Sequence, residues 1–118
     1  MKNDKKYFIL TAALVIILVV LSIVFLGNSE GLYDDFAKCL TANGAVMYGT
    51  DWCSHCQNEK SLFGSSFQYV NFVNCDYSSQ LCTNAGVEGY PTWSINGSNY
   101  PGEKTLEQIS SLSGCSLN

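Results

Sequence analysis

A long run of apolar side chains occupies the N-terminal part of the chain. Residues 7–26 include no charged residue and are rich in Leu, Ile and Val. In a helix, these 20 residues match the roughly 30 Å hydrocarbon core of a bilayer at about 1.5 Å per residue. The pattern therefore predicts a single transmembrane helix that contacts the lipid bilayer through residues 7–26.

The charges differ on the two sides of this apolar segment. Lys2, Lys5 and Lys6 precede it, and acidic residues follow it. By the positive-inside rule, we expect the N-terminus in the cytoplasm and the rest of the chain outside it. A cleaved signal peptide is the alternative, but its apolar region usually spans only about 7–15 residues. We therefore assign residues 1–27 to a cytoplasmic stub with an uncleaved anchor, and residues 28–118 to one small extracytoplasmic domain.

Beyond the anchor, the spacing of apolar residues alternates between helical and strand periods. Apolar side chains at helical spacing indicate helices, and short runs of β-branched and aromatic residues indicate strands. In chain order the predicted elements are a helix over 32–43, a strand over 45–49, a helix over 54–64, a strand over 69–73, a short helix near 81–85, strands over 92–95 and 98–100, and a last helix after Thr105.

Local motifs and element order predict how these elements assemble. Asn96-Gly97 is the strongest short hairpin signal, and Thr105 with Gln108 forms a capping-box pattern at the start of the last helix. The early strand–helix–strand order predicts a parallel pair with a right-handed crossover. The predicted fold class is α/β, a small mixed sheet flanked by helices and preceded by one transmembrane helix.

Composition narrows the possible functions. From residue 28 onward, three lysines and nine acidic residues give a net charge of −6, and the chain contains no arginine. Such a surface repels phosphate backbones, so we expect no nucleic-acid partner. All six cysteines lie after the apolar segment, and an even number in a small domain indicates an oxidising compartment.

The candidate chemistry lies in the sequence Thr-Asp-Trp-Cys-Ser-His-Cys at residues 50–56. A C-x-x-C between a strand and a helix is a reactive dithiol signature. At the N-terminus of a helix, Cys53 would face unpaired amides and the positive end of the helix dipole, which favour the thiolate. His55 adds a hydrogen bond or a positive charge beside it. We expect Cys53 to be the exposed nucleophile and Cys56 the resolving thiol, without a bound cofactor or metal ion.

Residues 47–57 and 90–97 carry a resemblance to a known family. The W-C-x-H-C motif after the first strand and Tyr90-Pro91-Thr92 before the hairpin resemble the thioredoxin fold, from about residue 32 to residue 114. The chain is most similar to the thioredoxin-like domain fused to, or paired with, bacterial-type vitamin K epoxide reductase homologues. The resemblance implies a disulfide donor for client proteins with cysteine thiols. It also implies a separate membrane quinone reductase of that type, which reoxidises the dithiol.

The resemblance also assigns roles to other residues. It implies that Pro91 follows a cis peptide bond and faces the dithiol, and that Trp52, Tyr90 and Thr92 help to position an extended substrate. Many thioredoxins carry a buried aspartate six residues before the first cysteine, where this chain has Met47. Either another base deprotonates the second cysteine, or the protein rarely needs that cysteine as an attacking thiolate, which suits an oxidase.

Four further cysteines remain. Cys75 and Cys82 flank a polar loop, and a structural disulfide that clamps the loop is favoured over a second redox pair that relays electrons. Cys39 and Cys115 are left over, and a second structural disulfide between them would tie down the C-terminal tail. The resemblance places their helices on opposite faces of the sheet, which argues against that bridge.

Two rival functions stay open at this point. Cys53, Cys56, Cys75 and Cys82 could supply four thiolates to a structural zinc ion, although the tryptophan and histidine in the motif fit redox chemistry better. Within redox chemistry, the domain could instead be a thiol reductase or isomerase, for example in cytochrome or metal-site maturation. The reduction potential of the dithiol separates a donor from a reductase.

Overall fold

A computed structural model describes residues 1–27 and 30–118 of the chain. The first helix, α1, runs from Lys2 to Leu26. Within the segment Asn3–Leu26, an 18-residue window has a mean hydropathy of 3.3, and none of that window is buried, so α1 is long and apolar enough to cross a membrane. The domain boundary that we placed before residue 28 borders residues 28 and 29, which lie outside the described residues.

Within residues 30–118, the domain consists of four α-helices, one 3-10 helix and four strands joined by short connections. Nearly all the elements predicted from residue spacing are confirmed, most of them within one or two residues. They are α2 (Asp34–Ala42), β1 (Val46–Gly49), α3 (Ser54–Phe63), β2 (Phe72–Asn74), α4 (Ser79–Asn84), β3 (Thr92–Ile95), β4 (Ser98–Pro101) and α5 (Leu106–Ser113).

The segment between α3 and β2 differs from the prediction. A 3-10 helix over Gly64–Tyr69 occupies part of the range where we placed a strand, and β2 begins only at Phe72. The hydroxyl of Thr41 explains the shift. It donates to the carbonyl of Tyr69 at 2.6 Å and accepts from the N–H of Asn71 at 3.2 Å. Backbone groups that a strand would pair with the sheet are thus satisfied by a side chain of α2.

The four strands form one mixed sheet in the order β2-β1-β3-β4. β1 and β2 are parallel, whereas β3 is antiparallel to both β1 and β4, so the predicted parallel pair and hairpin are confirmed. At the hairpin tip, Asn96 and Gly97 have φ of 51° and 79°. A type I′ turn requires positive φ at both central residues. Asn and Gly adopt positive φ most readily, which explains why Asn-Gly occupies this turn.

Aromatic side chains join the sheet to the helices. Trp93 of β3 is fully buried, and its ring centroid lies 6.2 Å from that of Phe63 in α3. Phe63 in turn stacks on Phe36 of α2 at 5.9 Å. These two ring contacts hold the C-terminal end of α3 against the core. The N-terminal end of α3 then lies at the edge of the sheet where β1 ends.

The last helix follows its local signals. The Thr105 hydroxyl accepts from the N–H of Gln108 at 3.2 Å, and the Gln108 side chain accepts from the N–H of Thr105 at 2.8 Å, so the capping box is confirmed. Gly114 ends the helix with φ 75°. This left-handed residue turns the chain, after which Cys115 is bonded to Cys39 across 76 residues.

The Cys39–Cys115 bridge that the sequence left open is present in the structure, and the objection from the positions of the two helices does not hold for this chain. The C-terminal tail beyond α5 makes the bond, so the two helices need not pack on each other. The amide nitrogen of Asn43, just after α2, lies 3.4 Å from Cys115 Sγ, which shows that the tail reaches the end of α2.

Candidate active site

The dithiol lies in the connection between β1 and α3. Cys53 is the residue that precedes α3, and its sulfur accepts a hydrogen bond from the N–H of Cys56 at 3.2 Å. A backbone amide in the first turn of a helix is one of the donors that no intrahelical carbonyl satisfies. The structure thus places the Cys53 sulfur where helix amides stabilise negative charge.

The two cysteines differ in burial. Cys53 is 7% exposed and Cys56 is 0% exposed, so the expectation that Cys53 is openly exposed is corrected: its sulfur turns toward the helix amide. Burial raises the pKa of the Cys56 thiol to about 12, and the hydrogen bond with Cys53 adds to the shift. A thiol with such a pKa stays protonated at neutral pH. Cys53 is therefore the sulfur of this pair that a second protein can reach.

Gly49 is a residue of the site that the sequence analysis missed. A Cβ at this position would lie 2.7 Å from Cys56 Sγ and 3.2 Å from Cε2 of Phe72. Only glycine lets the Cys56 sulfur approach the backbone at the end of β1 so closely. The available signal was a glycine at the end of a buried strand, four residues before a C-x-x-C.

His55 contacts the connection between β4 and α5. Its Nδ1 lies 2.8 Å from Oε2 of Glu103, and the two side chains are 68% and 37% exposed. The predicted contact with Cys53 is therefore not made through this nitrogen, which a carboxylate engages instead. An ion pair in such exposure contributes little stability. Glu103 is 48 residues away, so no local motif identifies it.

The residues expected to position a substrate fall into two groups. Trp52 and Tyr90 are partly exposed, and their rings meet edge to face with centroids 6.3 Å apart. The Tyr90–Pro91 peptide bond is cis. Thr92, by contrast, is 2% exposed and donates its hydroxyl to the carbonyl of Gly89 at 2.7 Å. Its side chain thus fixes the turn that leads into β3.

The Cys75–Cys82 pair lies at the same edge of the sheet as the dithiol. The two sulfurs are bonded to each other. Cys75 follows β2 and donates its N–H to the carbonyl of Gly49 at 2.8 Å. Both cysteines are 4% exposed, so an attacking thiolate has little access to this disulfide. The geometry favours the clamp over the relay.

Glu59 is a second site residue that the sequence analysis missed. It lies on α3 with 0% exposure. Its Oε1 accepts hydrogen bonds from Trp93 Nε1 at 2.9 Å and from the N–H of Lys104 at 3.0 Å. Burial raises the pKa of this carboxyl to about 7, although both hydrogen bonds oppose the shift. The carboxylate joins α3 to β3 and to the loop that carries Glu103.

Replacing Gly49 with alanine should displace the Cys56 sulfur, because the added Cβ would stand 2.7 Å from it. We expect closure of the Cys53–Cys56 disulfide to slow by about tenfold or more. A shift of a reacting atom by about 1 Å lowers a reaction rate by at least that factor. The rate of disulfide formation with oxidised glutathione measures this. Gly89→Ala, where an added Cβ meets nothing within 4 Å, is the control. Equal rates for the two variants would contradict the role of Gly49.

No protein-family model matches the chain. It is 39% identical over 90 residues to the thiol-disulfide oxidoreductase LTO1 of Arabidopsis thaliana, an alignment that covers 69% of this chain. It is 33% identical over 78 residues, 54% of this chain, to the protein disulfide isomerase-like 2-1 of Oryza sativa subsp. japonica. It is also 30% identical over 90 residues, 64% of this chain, to the thioredoxin domain-containing protein 5 homolog of Drosophila melanogaster.

These relatives are much longer proteins. The chain spans 24%, 21% and 22% of their respective lengths, so the similarity concerns one domain of each. The mixed four-stranded sheet flanked by helices agrees with that similarity. The fold of this domain is therefore thioredoxin-like, and its sequence is similar to one domain of thiol–disulfide oxidoreductases.

Proposed function

We propose that this chain is a membrane-anchored thiol–disulfide oxidoreductase that donates disulfides to extracytoplasmic proteins through Cys53 and Cys56. The observation that carries the proposal is the asymmetry of the dithiol. One sulfur lies at the N-terminus of α3, and the other is fully buried with a raised pKa. Thiol–disulfide exchange by a dithiol needs one sulfur that forms the mixed disulfide with the partner protein. It also needs a second sulfur that re-forms the disulfide within the site.

The exchange proceeds in two steps. A thiolate of the client attacks Cys53 Sγ of the oxidised pair, the bond between the two site sulfurs breaks, and Cys56 leaves. A second client thiolate then attacks the client sulfur of the mixed disulfide, and Cys53 leaves as a thiolate that the helix amides stabilise. The client gains a disulfide, and the site keeps both electrons as a dithiol.

Two observations support disulfide donation in an oxidising compartment. The same domain holds the disulfides Cys39–Cys115 and Cys75–Cys82, and such bonds persist outside the cytosol. The lysines at the start of α1 precede its apolar segment and acidic residues follow that segment, which favours a cytoplasmic N-terminus and an extracytoplasmic domain. Reoxidation by a separate membrane quinone reductase of the vitamin K epoxide reductase type completes the proposed cycle. That partner rests on the resemblance of the two active-site motifs.

The paired aromatics next to the dithiol support a protein substrate. Trp52 is 69% exposed, and its indole nitrogen donates to Asp76 Oδ2 at 2.9 Å, which fixes the ring at the surface. An exposed, oriented aromatic pair offers apolar contact to a client chain at low entropic cost. A client would meet Trp52 and Tyr90 as its thiolate approaches Cys53.

A disulfide isomerase or thiol reductase is the second candidate. It is favoured by one observation, that two of the similar proteins are named protein disulfide isomerase-like. A zinc site built from four thiolates is not compatible with the structure, because Cys75 and Cys82 are bonded to each other.

Replacing Cys53 with serine should abolish oxidation of a reduced dithiol peptide, because Cys53 is the sulfur that meets the client. When a disulfide-containing peptide is supplied to the reduced Cys56→Ser variant, Cys53 attacks that disulfide and expels one peptide thiolate, and the mixed disulfide should accumulate because no inner thiol remains to release it. Both outcomes are read by mass spectrometry of acid-trapped full-length protein in detergent. Turnover by Cys53→Ser above a few per cent of wild type would refute the assignment of the nucleophile.

The reduction potential of the Cys53–Cys56 pair separates the candidates. A disulfide donor lies near about −120 mV, an isomerase near about −180 mV and a reductase near about −270 mV. We expect a value closest to the first, measured by equilibration with glutathione buffers. A value below about −220 mV would replace the proposed donor with a reductase.

A further inference from the structure

His55 is engaged by a residue that lies outside the C-x-x-C motif. It is the second residue of α3 and the only histidine in the chain. Its Nδ1 lies 2.8 Å from Oε2 of Glu103, in the connection between β4 and α5. Cys53 and Cys56 are unbonded in this structure, and Cys53 Sγ accepts its hydrogen bond from the N–H of Cys56. The imidazole thus contacts a carboxylate in the dithiol form, in which the Cys53 thiolate is the alternative partner.

The main chain holds Glu103 in place. The N–H of the next residue, Lys104, donates to the buried carboxylate of Glu59 at 3.0 Å, which ties this connection to α3. The ammonium group of Lys104 turns back and donates to two carbonyls of its own loop at 2.6 and 2.9 Å. Among the described residues, the ionisable base that contacts the Glu103 carboxylate is therefore His55. The contact is built by the fold and not by neighbouring positions in the sequence.

A carboxylate at this nitrogen changes what His55 does for Cys53. An imidazole stabilises a thiolate when it donates a hydrogen bond to it or stands beside it as a cation. The Nδ1 that Glu103 engages is not available to the sulfur. The negative charge of Glu103 also offsets the positive charge of a protonated ring, so the pair brings no net positive charge to Cys53. Both effects withhold stabilisation from the thiolate.

We propose that Glu103 is a positioning residue that holds His55 away from the Cys53 thiolate and thereby limits the oxidising power of the dithiol. The inference rests on the proposed exchange at Cys53 and Cys56. A stabilised thiolate favours the reduced pair and makes the disulfide a stronger oxidant. By withholding His55, Glu103 lowers the reduction potential. A lower potential makes it easier for an oxidising partner to take back the two electrons that a client has delivered.

Equilibration with glutathione measures this effect in full-length protein in detergent. Two glutathione thiols reduce the Cys53–Cys56 disulfide and become one oxidised glutathione. Free protein thiols are trapped with N-ethylmaleimide and counted by mass spectrometry. In Glu103→Ala, the equilibrium constant should shift toward the dithiol by about threefold, a modest factor because exposed ion pairs are weak. That shift corresponds to a potential about 14 mV higher, at about 30 mV per tenfold change.

A double-mutant cycle shows whether Glu103 acts through His55. In the His55→Ala background, Glu103→Ala should change the constant by less than about 1.5-fold, since no ring remains to be positioned. An equal shift in both backgrounds would overturn the proposal, because the charge of Glu103 would then act on the sulfur directly. An unchanged constant in Glu103→Ala itself, or a shift toward the disulfide, would also overturn it.

Glu107→Ala is the matched control for the charge. It removes an exposed carboxylate four residues further along the chain, on α5. The constant should stay within about 1.5-fold of wild type, since an isolated surface charge contributes little. A threefold shift in this variant as well would assign the effect to net charge and refute a specific role of Glu103.

The ring signals of His55 provide a second measurement, which a merely structural role of Glu103 would not affect. Histidine-selective 15N labelling gives the signals of a single ring, because the chain contains one histidine. Reduction of the disulfide should shift these signals more in Glu103→Ala than in wild type, as the released ring contacts the Cys53 thiolate. Equal shifts in the two proteins would contradict the proposal.

Failure of the proposed function is a separate outcome. A wild-type potential in the range of thiol reductases would replace the disulfide donor, whereas the ratio of the constants for Glu103→Ala and wild type reports on Glu103 alone.

Discussion

The contact between the Cys56 sulfur and the backbone of Gly49 is the constraint on which the rest of the site depends. It holds the first turn of α3 against the end of β1, at a separation that no side chain at position 49 allows. One thiol of the pair is thereby withdrawn from solvent, while the other stays at the tip of the helix. The difference between two otherwise equivalent cysteines follows from this packing.

The other end of α3 is held by the core. Phe63 packs against Trp93, and the Trp93 indole donates to Glu59 on the same helix, so β3 binds α3 through both an apolar and a polar contact. Lys104 donates to the same carboxylate from the loop before α5. The next residue back, Glu103, reaches His55 beside the dithiol. A single buried carboxylate thus connects the core to the exposed side of the site.

Local patterns predicted most of the fold because they act within a few residues. Asn96-Gly97 forms the turn of a hairpin, and Thr105 and Gln108 cap a helix. The C-x-x-C likewise marks the start of a helix, with Cys53 as the residue before its first turn. The error in the predicted start of β2 has a different cause. The hydroxyl of Thr41, about 30 residues away, hydrogen-bonds the carbonyl of Tyr69 and the N–H of Asn71. No sequence pattern near the strand predicts that contact.

The site itself was predictable only in part, for the same reason. The motif identified Cys53 and Cys56, but Glu59, Glu103 and Gly49 gain their roles from partners on other elements. Thr92 was predicted to help position a substrate, and the motif did not indicate that its hydroxyl donates to the carbonyl of Gly89. The bond between Cys39 and Cys115 depends on where a tail crosses the domain, which residue spacing does not encode.

Selective alkylation of the reduced, full-length protein tests the central claim most directly. With limiting iodoacetamide at pH 7, peptide mass spectrometry should find Cys53 modified at least about tenfold more than Cys56, because burial keeps the second sulfur protonated and inaccessible. Equal modification of the two cysteines, or faster modification of Cys56, would contradict the asymmetry from which the proposed chemistry follows.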